Sequence, residues 1–320
     1  MSHQPRIDLP PSLVEQFADR PPDGGHGPSG AAWLDRLPAL LAELLGRWEL
    51  RVDGPTRHGV AAVVVPTTRR DGSRAALKVT WPHAEARHEH LALRAWDGHA
   101  AVRLLAADPS RWGLLLEELE PDHDLDREDD LVACRVVGSI LARLDRPALP
   151  RLDTLSAYLD GLVRDTDRAT QASRLYGRGG LPRRLLDHGR SLALDLRTEP
   201  GVDARLVHTD LHGQNVLRRP GTGEWVAIDP KPMSAIPEMA VAPVLWNRWY
   251  EVIGSDDPRE RLNRRLETVC LHAGLDPDRA RACSIVRMVR NALRALEAAG
   301  REVETEVTMA VTVIKAMQPA

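Results

Sequence analysis

The hydropathy pattern of the chain changes near Pro121, and this change constrains the fold more than any other feature of the sequence. Before it, the β-branched runs VAAVVVPTT (60–68) and SRAALKVTW (73–81) predict two strands, and the Asp-Gly pair between them is typical of a hairpin. After it, apolar residues recur at helical spacing, except in one extended segment at 205–229. The sequence therefore predicts an α+β fold with a small β-rich N-terminal half and a larger helical C-terminal half.

The same patterns indicate where the parts of the chain begin and end. Residues 1–30 finish in PPDGGHGPSG, and we predict that they form a mobile N-terminal segment. The β-rich part is predicted over 31–119, starting with a helix that Pro38 breaks or kinks, and the helical part over 120–320. Further helices are expected at 83–96, 126–147, 152–170, 181–198 and 237–317, the last region with breaks near Gly254, Gly274 and Gly300.

Composition excludes several classes of protein. The formal charge of -3 lacks the basic excess of a nucleic-acid-binding protein. Three scattered cysteines do not suggest a disulfide framework, and they fit a reducing compartment. No apolar stretch approaches the roughly 20 residues that span a bilayer, and the N-terminus has no apolar signal core. We therefore expect a soluble, cytoplasmic protein with no nucleic-acid or membrane partner; the oligomeric state stays open.

The segment HTDLHGQN (208–215) concentrates polar groups in a loop between extended stretches, where catalytic residues tend to lie. Asp210 is followed five residues later by Asn215, and Asp229 ends the next hairpin. Phosphoryl transfer uses this arrangement: the first carboxylate accepts the proton of the attacking hydroxyl, while the Asn and the second Asp hold Mg²⁺ on the nucleotide phosphates. Taken alone, the spacing is equally typical of ordinary turns, which favour Asp, Asn and His.

Two residues earlier in the chain favour the catalytic interpretation. Lys78 lies on a predicted strand and Glu89 on the helix that follows. A kinase needs a lysine on its nucleotide phosphates and a helix carboxylate to position that lysine. Glu85, one helical turn before Glu89, remains an alternative partner. The order lysine, glutamate, Asp210, Asn215, Asp229 on these element types predicts a phosphotransferase.

Two metal sites are weaker alternatives. His208, Asp210 and a later histidine such as His272 have the ligand types of a non-haem iron oxygenase, but that site normally lies in a β-sandwich or barrel. His212 as a zinc ligand has no third ligand at a suitable spacing.

The motifs AALKV, RAWDGHAAVRLLAADP, LLLEELEP, HTDLHGQNVL and AIDPKP resemble those of the aminoglycoside and hydroxyurea antibiotic resistance kinases. The resemblance extends from about Trp33 to the last helices and implies a two-lobed protein-kinase-like fold that binds ATP between its lobes. It implies the following roles: Lys78 binds the phosphates and Glu89 is its helix partner, the backbone of Glu117 to Leu119 meets adenine, Asp210 is the catalytic base, and Asn215 and Asp229 bind Mg²⁺.

Three features depart from the family pattern. The segment expected to cover the phosphates, DGPTRHGVAAVVV, has Gly54 and Gly59 but not the full glycine-rich pattern. Thr209 stands where the family usually has Gly, and a β-branched residue restricts the backbone of that loop. Ala240 stands where the family usually has an Asp that helps to anchor the catalytic loop. These departures keep open the alternative of a catalytically impaired nucleotide-binding scaffold.

The acceptor has two candidates of different chemistry, a cationic aminoglycoside of the streptomycin type and neutral hydroxyurea. A cationic sugar needs carboxylates around its pocket, yet the region from 232 onward has equal numbers of acidic and basic residues. A local cluster is therefore required, and the candidates are Glu238, Glu251, Asp256 and Asp257, of which the last two also suit an ordinary surface turn. We expect a streptomycin-type aminoglycoside, because most of the resemblance is to streptomycin kinases.

Overall fold

The computed structural model describes residues 8–171, 180–298 and 303–318. The helices within these ranges are α1 (Pro11–Ala18), α2 (Gly30–Arg47), α3 (Glu89–Trp96), α4 (Asp130–Arg143), α5 (Leu155–Gln171), α6 (Arg183–Arg197), α7 (Pro243–Trp246), α8 (Trp249–Ile253), α9 (Pro258–Ala273), α10 (Pro277–Ala298) and α11 (Val303–Met317). The strands are β1 (Arg51–Val52), β2 (Arg57–His58), β3 (Ala62–Thr68), β4 (Arg74–Thr80), β5 (Leu104–Asp108), β6 (Gly113–Glu117), β7 (Glu120–Asp124), β8 (Arg146–Pro147), β9 (Arg205–His208), β10 (Val216–Arg218), β11 (Trp225–Ala227) and β12 (Pro232–Ala235).

The chain divides into two compact units. The first comprises the described residues up to Pro121 together with Arg218–Lys231, and the second comprises Asp122–Leu217 and the described residues from Pro232 onward. The predicted change near Pro121 therefore coincides with the first boundary. The sequence assigned 218–231 to the C-terminal part over 120–320, whereas these residues belong to the first unit.

Arg219 explains why this segment belongs there. Its guanidinium donates to the backbone oxygens of Gly98 (2.7 Å) and Ala101 (3.1 Å) and forms an ion pair with Glu117 at 2.9 Å. The backbone N–H of Val102 donates to Ala227 O at 2.8 Å, which adds a main-chain connection. Sequence patterning does not detect such a long-range attachment, because it depends on which side chains meet after folding.

The first unit contains an antiparallel sheet in the order β1-β3-β4-β6-β5, with β2 pairing β3 as well. The predicted Asp-Gly hairpin joins β3 to β4, and Gly72 has a φ of 83°, a left-handed conformation that glycine adopts without steric cost. The register places Lys78 opposite Val64 on β3 and Leu114 on β6. Lys78 therefore lies on a central strand, as the sequence predicts.

One face of this sheet forms the core of the first unit. Val63, Val65, Leu77 and Val79 are fully buried, together with Leu37, Leu41 and Leu44 of α2. Helix α2 runs without a break through Pro38, where the sequence predicted a break or kink. Because successive side chains of a strand point to opposite faces, Lys78 lies on the other face from Leu77 and Val79. The core packing thus fixes the direction of the lysine.

The prediction of a mobile segment over 1–30 is wrong for α1. Leu13 and Phe17 of this helix are fully buried in the same core, and the Phe17 ring lies 4.7 Å from the Trp33 ring, centroid to centroid. Leu13 and Phe17 are four residues apart and therefore share one helical face, but the Pro- and Gly-rich stretch that follows them favours a mobile segment. Residues 1–7 of the predicted segment lie outside the described residues.

The second unit is mainly helical and includes a short antiparallel sheet in the order β12-β9-β8. Helices α4, α5 and α6 confirm three predicted helices, and α8 and α9 end at the predicted breaks, Gly254 and Gly274. The predicted break at Gly300 lies outside the described residues. Strand β9 leads directly into the HTDLHGQN loop. Among the described helices, none has both the length and the apolarity required to cross a membrane.

Candidate active site

The structure brings Lys78, Glu89 and Asp229 together within the first unit. Lys78 Nζ lies 2.7 Å from Glu89 Oε1 and 2.6 Å from Asp229 Oδ1. Glu89 is the first residue of α3, and Asp229 follows β11 with a φ of 52°, a left-handed conformation that Asp tolerates better than most residues. Lys78 and Asp229, which are 151 positions apart in sequence, therefore meet in the folded unit.

Burial and charge act in opposite directions on this trio. Lys78 and Glu89 are 6% and 2% exposed, whereas the side chain of Asp229 is 52% exposed. Burial opposes the charge on Lys78, but the carboxylates of Asp229 and Glu89 outweigh it and raise the pKa of the lysine. Burial raises the pKa of Glu89 to about 7, although the ammonium of Lys78 opposes that shift. The lysine is thus a fixed, permanently charged group beside a half-exposed carboxylate.

The structure distinguishes the two glutamates that the sequence left open. Glu89 contacts Lys78, whereas Glu85, which lies in the turn before α3, forms an ion pair with Lys231 at 3.1 Å. The predicted pairing of Lys78 with Glu89 is therefore the one that the structure contains.

Glu117 lies at the end of β6, where the sequence predicted an adenine-binding hinge. Its N–H donates to Arg103 O at 3.0 Å, and its carboxylate accepts a hydrogen bond from Arg103 N at 2.7 Å and pairs with Arg219. Glu117 is therefore engaged in joining 218–231 to the sheet. Leu119 follows β6, outside the regular strands and half-buried. The hinge role of this segment stays a prediction.

The HTDLHGQN loop lies in the second unit, between β9 and β10, and brings Asp210 close to Asn215. Asn215 Nδ2 donates to the backbone oxygen of Asp210 at 2.8 Å and lies 3.2 Å from His212 Nε2. The N–H of Asp210 donates to Nδ1 of His208, a fully buried residue, at 3.1 Å. Side chains of the loop therefore hold its own backbone in place. His208 is one of them, and it is buried rather than exposed as a general base would be.

Two residues near this loop were not identified from the sequence. Arg287 of α10 donates to the backbone oxygens of Thr209 and Met239, the latter at 3.3 Å. The carboxylate of Asp126 lies so close to Gly213 that a Cβ at position 213 would be 2.0 Å from Asp126 Oδ1. Helical patterns do not distinguish such residues from other polar ones, so no sequence signal indicates them.

Asp126 is a half-buried carboxylate with an incomplete set of partners. Asn247 Nδ2 donates to its Oδ2 at 3.2 Å, whereas its Oδ1 is buried and has no hydrogen-bond partner within the described chain. Burial raises the pKa of Asp126, and the hydrogen bond from Asn247 opposes the shift. A buried acceptor without a partner is costly, so this oxygen carries an uncompensated desolvation penalty.

The four acids predicted around a cationic acceptor have different environments. Glu238 is 4% exposed and lies 3.4 Å from Arg279, so the predicted pocket-lining position does not fit it. Glu251 forms ion pairs with Arg248 and Arg261. Asp256 and Asp257 are exposed, and Asp257 caps α9 by accepting a hydrogen bond from Glu260 N at 3.0 Å. Glu238 and Glu251 thus pair with arginines of the protein, although Glu238 Oε2 is buried without a hydrogen-bond partner among the described residues, and Asp257 serves as a helix cap.

The metal-site alternatives find no support in the described part of the chain. There, no group of three or more His, Cys, Asp and Glu residues is arranged to hold a metal ion. His208 is buried, and His272 lies exposed on α9 with Nδ1 3.0 Å from Thr268 O. Cys134, Cys270 and Cys283 are free and buried.

Comparison with known proteins agrees with this chemistry. Residues 47–299 match the sequence profile of the aminoglycoside/hydroxyurea antibiotic resistance kinases. The chain is 36% identical over 302 residues to a streptomycin 6-kinase of Streptomyces glaucescens, covering 93% of this chain and 94% of that protein. It is 38% identical over 298 residues to a hydroxyurea phosphotransferase of Kitasatospora aureofaciens, covering 91% and 81%.

Solved structures define the fold. A thermostable mutant of aminoglycoside phosphotransferase APH(4)-Ia, in a ternary complex with AMP-PNP and hygromycin B, matches with a TM-score of 0.56 at 15% identity, over 88% of this chain and 98% of that one. The protein is therefore a phosphotransferase with a protein-kinase-like α+β fold that acts on a hydroxyl group of a small molecule. It belongs to the aminoglycoside/hydroxyurea antibiotic resistance kinase family.

Proposed function

We propose that this chain transfers the γ-phosphoryl group of ATP to a hydroxyl group of a streptomycin-type aminoglycoside, with Mg²⁺ as the metal cofactor. The observation that carries the proposal is the buried ammonium of Lys78, held 2.7 Å from Glu89 and 2.6 Å from Asp229. A lysine fixed by a helix glutamate beside a metal-binding aspartate is the arrangement that protein kinases use on nucleotide phosphates.

Lys78 has the chemistry to bind the nucleotide phosphates, because its charge is permanent and its position is fixed by Glu89. When phosphate oxygens approach, they replace part of the negative charge that Asp229 supplies to the ammonium. Asp229 would then be available to bind a cation, for which its half-exposed position is suitable. Glu89 stays buried and keeps the lysine in place.

The donor set fits Mg²⁺, which prefers oxygen ligands. Asp229 supplies carboxylate oxygens, and the amide nitrogen of Asn215 is engaged by Asp210 O, which leaves the amide oxygen of Asn215 as its metal-binding atom. Mg²⁺ would neutralise charge on the phosphates that are transferred and left behind. We assign the metal to these two residues from the sequence motif.

Asp210 is the proposed general base. Its carboxylate would accept the proton of the acceptor hydroxyl as that oxygen attacks phosphorus, so that the proton moves to the Asp210 carboxylate and ADP leaves. The backbone on both sides of Asp210 is held by hydrogen bonds, which keeps its side chain in a defined direction. Positioning of this kind supplies much of the acceleration in phosphoryl transfer.

Two observations support a streptomycin-type acceptor: the identity of this chain to streptomycin 6-kinases and the position of Asp126. Two streptomycin 6-kinases, from Streptomyces glaucescens and Streptomyces griseus, are 36% and 35% identical to this chain. Asp126, a half-buried carboxylate that lies against Gly213 of the loop of Asp210, would pair with a cationic group of such a sugar. Exposed Asp256 and Asp257 remain secondary candidates for this contact.

Hydroxyurea is the second candidate acceptor, because the hydroxyurea phosphotransferase is 38% identical to this chain. Streptomycin is cationic and hydroxyurea is neutral, so the salt dependence of turnover distinguishes the two acceptors. A coupled assay of ADP release should be run with streptomycin, other aminoglycosides and hydroxyurea, each at two salt concentrations. Saturable turnover with streptomycin, with an apparent KM that rises with salt, is expected from recognition by carboxylates.

Two variants make the assay specific. Asp126→Asn should raise the KM for streptomycin and weaken its salt dependence, whereas the matched substitution Asp256→Asn at an exposed site should change the KM less. Turnover with hydroxyurea alone would refute the aminoglycoside assignment. Tight ATP binding with no turnover on any acceptor would refute phosphoryl transfer and favour the nucleotide-binding scaffold.

A further inference from the structure

The peptide group between Thr209 and Asp210 is held on both of its sides. Its carbonyl oxygen, Thr209 O, accepts a hydrogen bond from Arg287 Nη1. Its N–H, that of Asp210, donates to His208 Nδ1 at 3.1 Å. In the next peptide group of the chain, Asp210 O accepts a hydrogen bond from Asn215 Nδ2 at 2.8 Å. His208 and Asn215 belong to the loop itself, so Arg287 is the contact in this set that connects Asp210 to another element.

Arg287 is itself held in a defined position. Its Nη1 also donates to Met239 O at 3.3 Å, and its guanidinium lies 5.1 Å from the centroid of the Trp246 ring. A planar guanidinium that stacks on an aromatic face and binds carbonyl oxygens loses little further freedom. Helix α10 therefore presents a rigid cation to the loop.

The same cation connects the loop to the short turn Pro237–Ala240. Met239 supplies the carbonyl, and the next residue is Ala240, which is 1% exposed and has only a methyl side chain. A methyl group neither donates nor accepts hydrogen bonds, so Ala240 contributes no polar anchor of its own. Arg287 connects this turn to the loop through the two backbone carbonyls that it binds.

We propose that Arg287 is a positioning residue for the phosphoryl-transfer reaction, because it fixes the plane of the Thr209–Asp210 peptide and with it the direction of the Asp210 carboxylate. The inference rests on the proposed role of Asp210 as the base. Loss of Arg287 removes the hydrogen bond that Thr209 O accepts from α10, so the peptide loses one of its anchors. Since the backbone at 209–210 can shift when this tether is lost, the Cα of Asp210 and its carboxylate lose their defined position.

Arg290 provides a matched control on the same helix, one turn further on. It donates to Tyr158 O at 3.0 Å, and its guanidinium lies 4.8 Å from the Tyr158 ring, so it makes the two kinds of contact that Arg287 makes, and it also forms an ion pair with Asp165 at 3.4 Å. Its partners belong to α5 and not to the loop of Asp210. Arg287→Gln and Arg290→Gln therefore remove similar interactions at different places.

The test combines kinetics with hydrogen exchange on the full chain. Arg287→Gln is expected to lower kcat by about 10- to 100-fold, because a small misplacement of a catalytic group has an effect of that size. The KM for ATP should change by less than about twofold, since no nucleotide contact is removed. Arg290→Gln should lower the melting temperature by a similar amount and leave kcat within about twofold. Arg287→Lys, which keeps the charge but not the planar fork, should give an intermediate kcat.

Hydrogen exchange measured by mass spectrometry provides a second reading that does not need turnover. Peptides covering 205–217 should exchange faster in Arg287→Gln than in the unmodified chain, and at the unmodified rate in Arg290→Gln. Unchanged exchange in this loop, or equal losses of kcat in the two variants, would overturn the proposal.

A double variant separates this inference from the proposed function. If Arg287 acts through Asp210, then Arg287→Gln should have little further effect on kcat in an Asp210→Asn background. Full additivity of the two losses would overturn the positioning role. Full activity of Asp210→Asn alone would instead refute the base assignment, and faster loop exchange in Arg287→Gln would then remain as evidence that Arg287 orders the loop.

Discussion

Replacing Lys78 by methionine isolates the electrostatics of the buried trio. Methionine has similar length but no charge, so Glu89 loses the ammonium 2.7 Å away while the packing around it is largely kept. Glu89 is 2% exposed and has no route to bulk water for its charge. Asp229, whose side chain is 52% exposed, can be solvated instead. The consequence for stability therefore depends mainly on Glu89.

The size of the effect depends on pH. Burial raises the pKa of Glu89 from 4.5 to about 7, with Lys78 opposing that shift, so Lys78→Met moves the pKa above 7. A carboxyl with a raised folded-state pKa contributes stability that is fully present below its unfolded pKa and is lost as pH rises to the folded pKa. That loss is complete near pH 7 in the unmodified chain but continues above it in the variant. The difference in unfolding free energy between the unmodified chain and Lys78→Met, here called the stability gap, should therefore grow by about 1.4 kcal/mol per pH unit. It should widen by up to about 2 kcal/mol between roughly pH 7 and pH 8.5.

Urea unfolding of both proteins at several pH values measures this gap. In addition, we expect Lys78→Met to lose about 1–3 kcal/mol of unfolding free energy at every pH, because its charged hydrogen bonds are missing. The control is Lys78→Met combined with Glu89→Gln, which has no titratable group at position 89 and should show a constant gap over the same range. A gap that does not widen for Lys78→Met alone, or that widens equally in the double variant, would refute the reasoning.

Three further predictions concern activity and the core. Asp210→Asn should keep ATP binding, measured by calorimetry, and lower turnover by about 10²- to 10⁴-fold, the usual contribution of a general base. Asp229→Ala should weaken binding of MgATP more than binding of metal-free ATP, because a divalent cation loses its carboxylate; equal losses would indicate misfolding instead. Leu13→Ala should lower the unfolding free energy by about 2–5 kcal/mol, whereas Val14→Ala, at a position 42% exposed, should change it by less than about 0.5 kcal/mol. Equal effects at 13 and 14 would contradict the packing of α1.

The hairpin of β3 and β4 and the long helices of the second unit were predictable, because period-two and helical hydropathy patterns are local properties of the sequence. Lys78 and Glu89 were found for the same reason: each lies at a definite place on a predictable element. The helix α1 was missed because its buried pair, Leu13 and Phe17, stands beside a Pro- and Gly-rich stretch. The composition of residues 1–30 predicts a mobile segment, and the helical pattern of α1 is too short to contradict it.

The attachments between distant segments were not predictable. Arg219 binds Gly98 and Ala101, and Arg287 binds Thr209, across 78 or more positions in the chain. Arginines are common in this sequence, and nothing in their local context distinguishes a buried anchor from a solvated residue. The buried position of Glu238 could not be inferred for the same reason, because its partner Arg279 meets it only after folding.

The central claim is the transfer of a phosphoryl group to a small-molecule hydroxyl, and the most direct measurement of it is identification of the product. Purified protein should be incubated with ATP, Mg²⁺ and streptomycin, and the acceptor analysed by mass spectrometry and ³¹P NMR while ADP is quantified. The account predicts a single phosphate monoester on streptomycin, formed in equal amount to ADP and absent with Asp210→Asn. ADP formation without a phosphorylated acceptor, or the same phosphorylated product from Asp210→Asn at an undiminished rate, would contradict it.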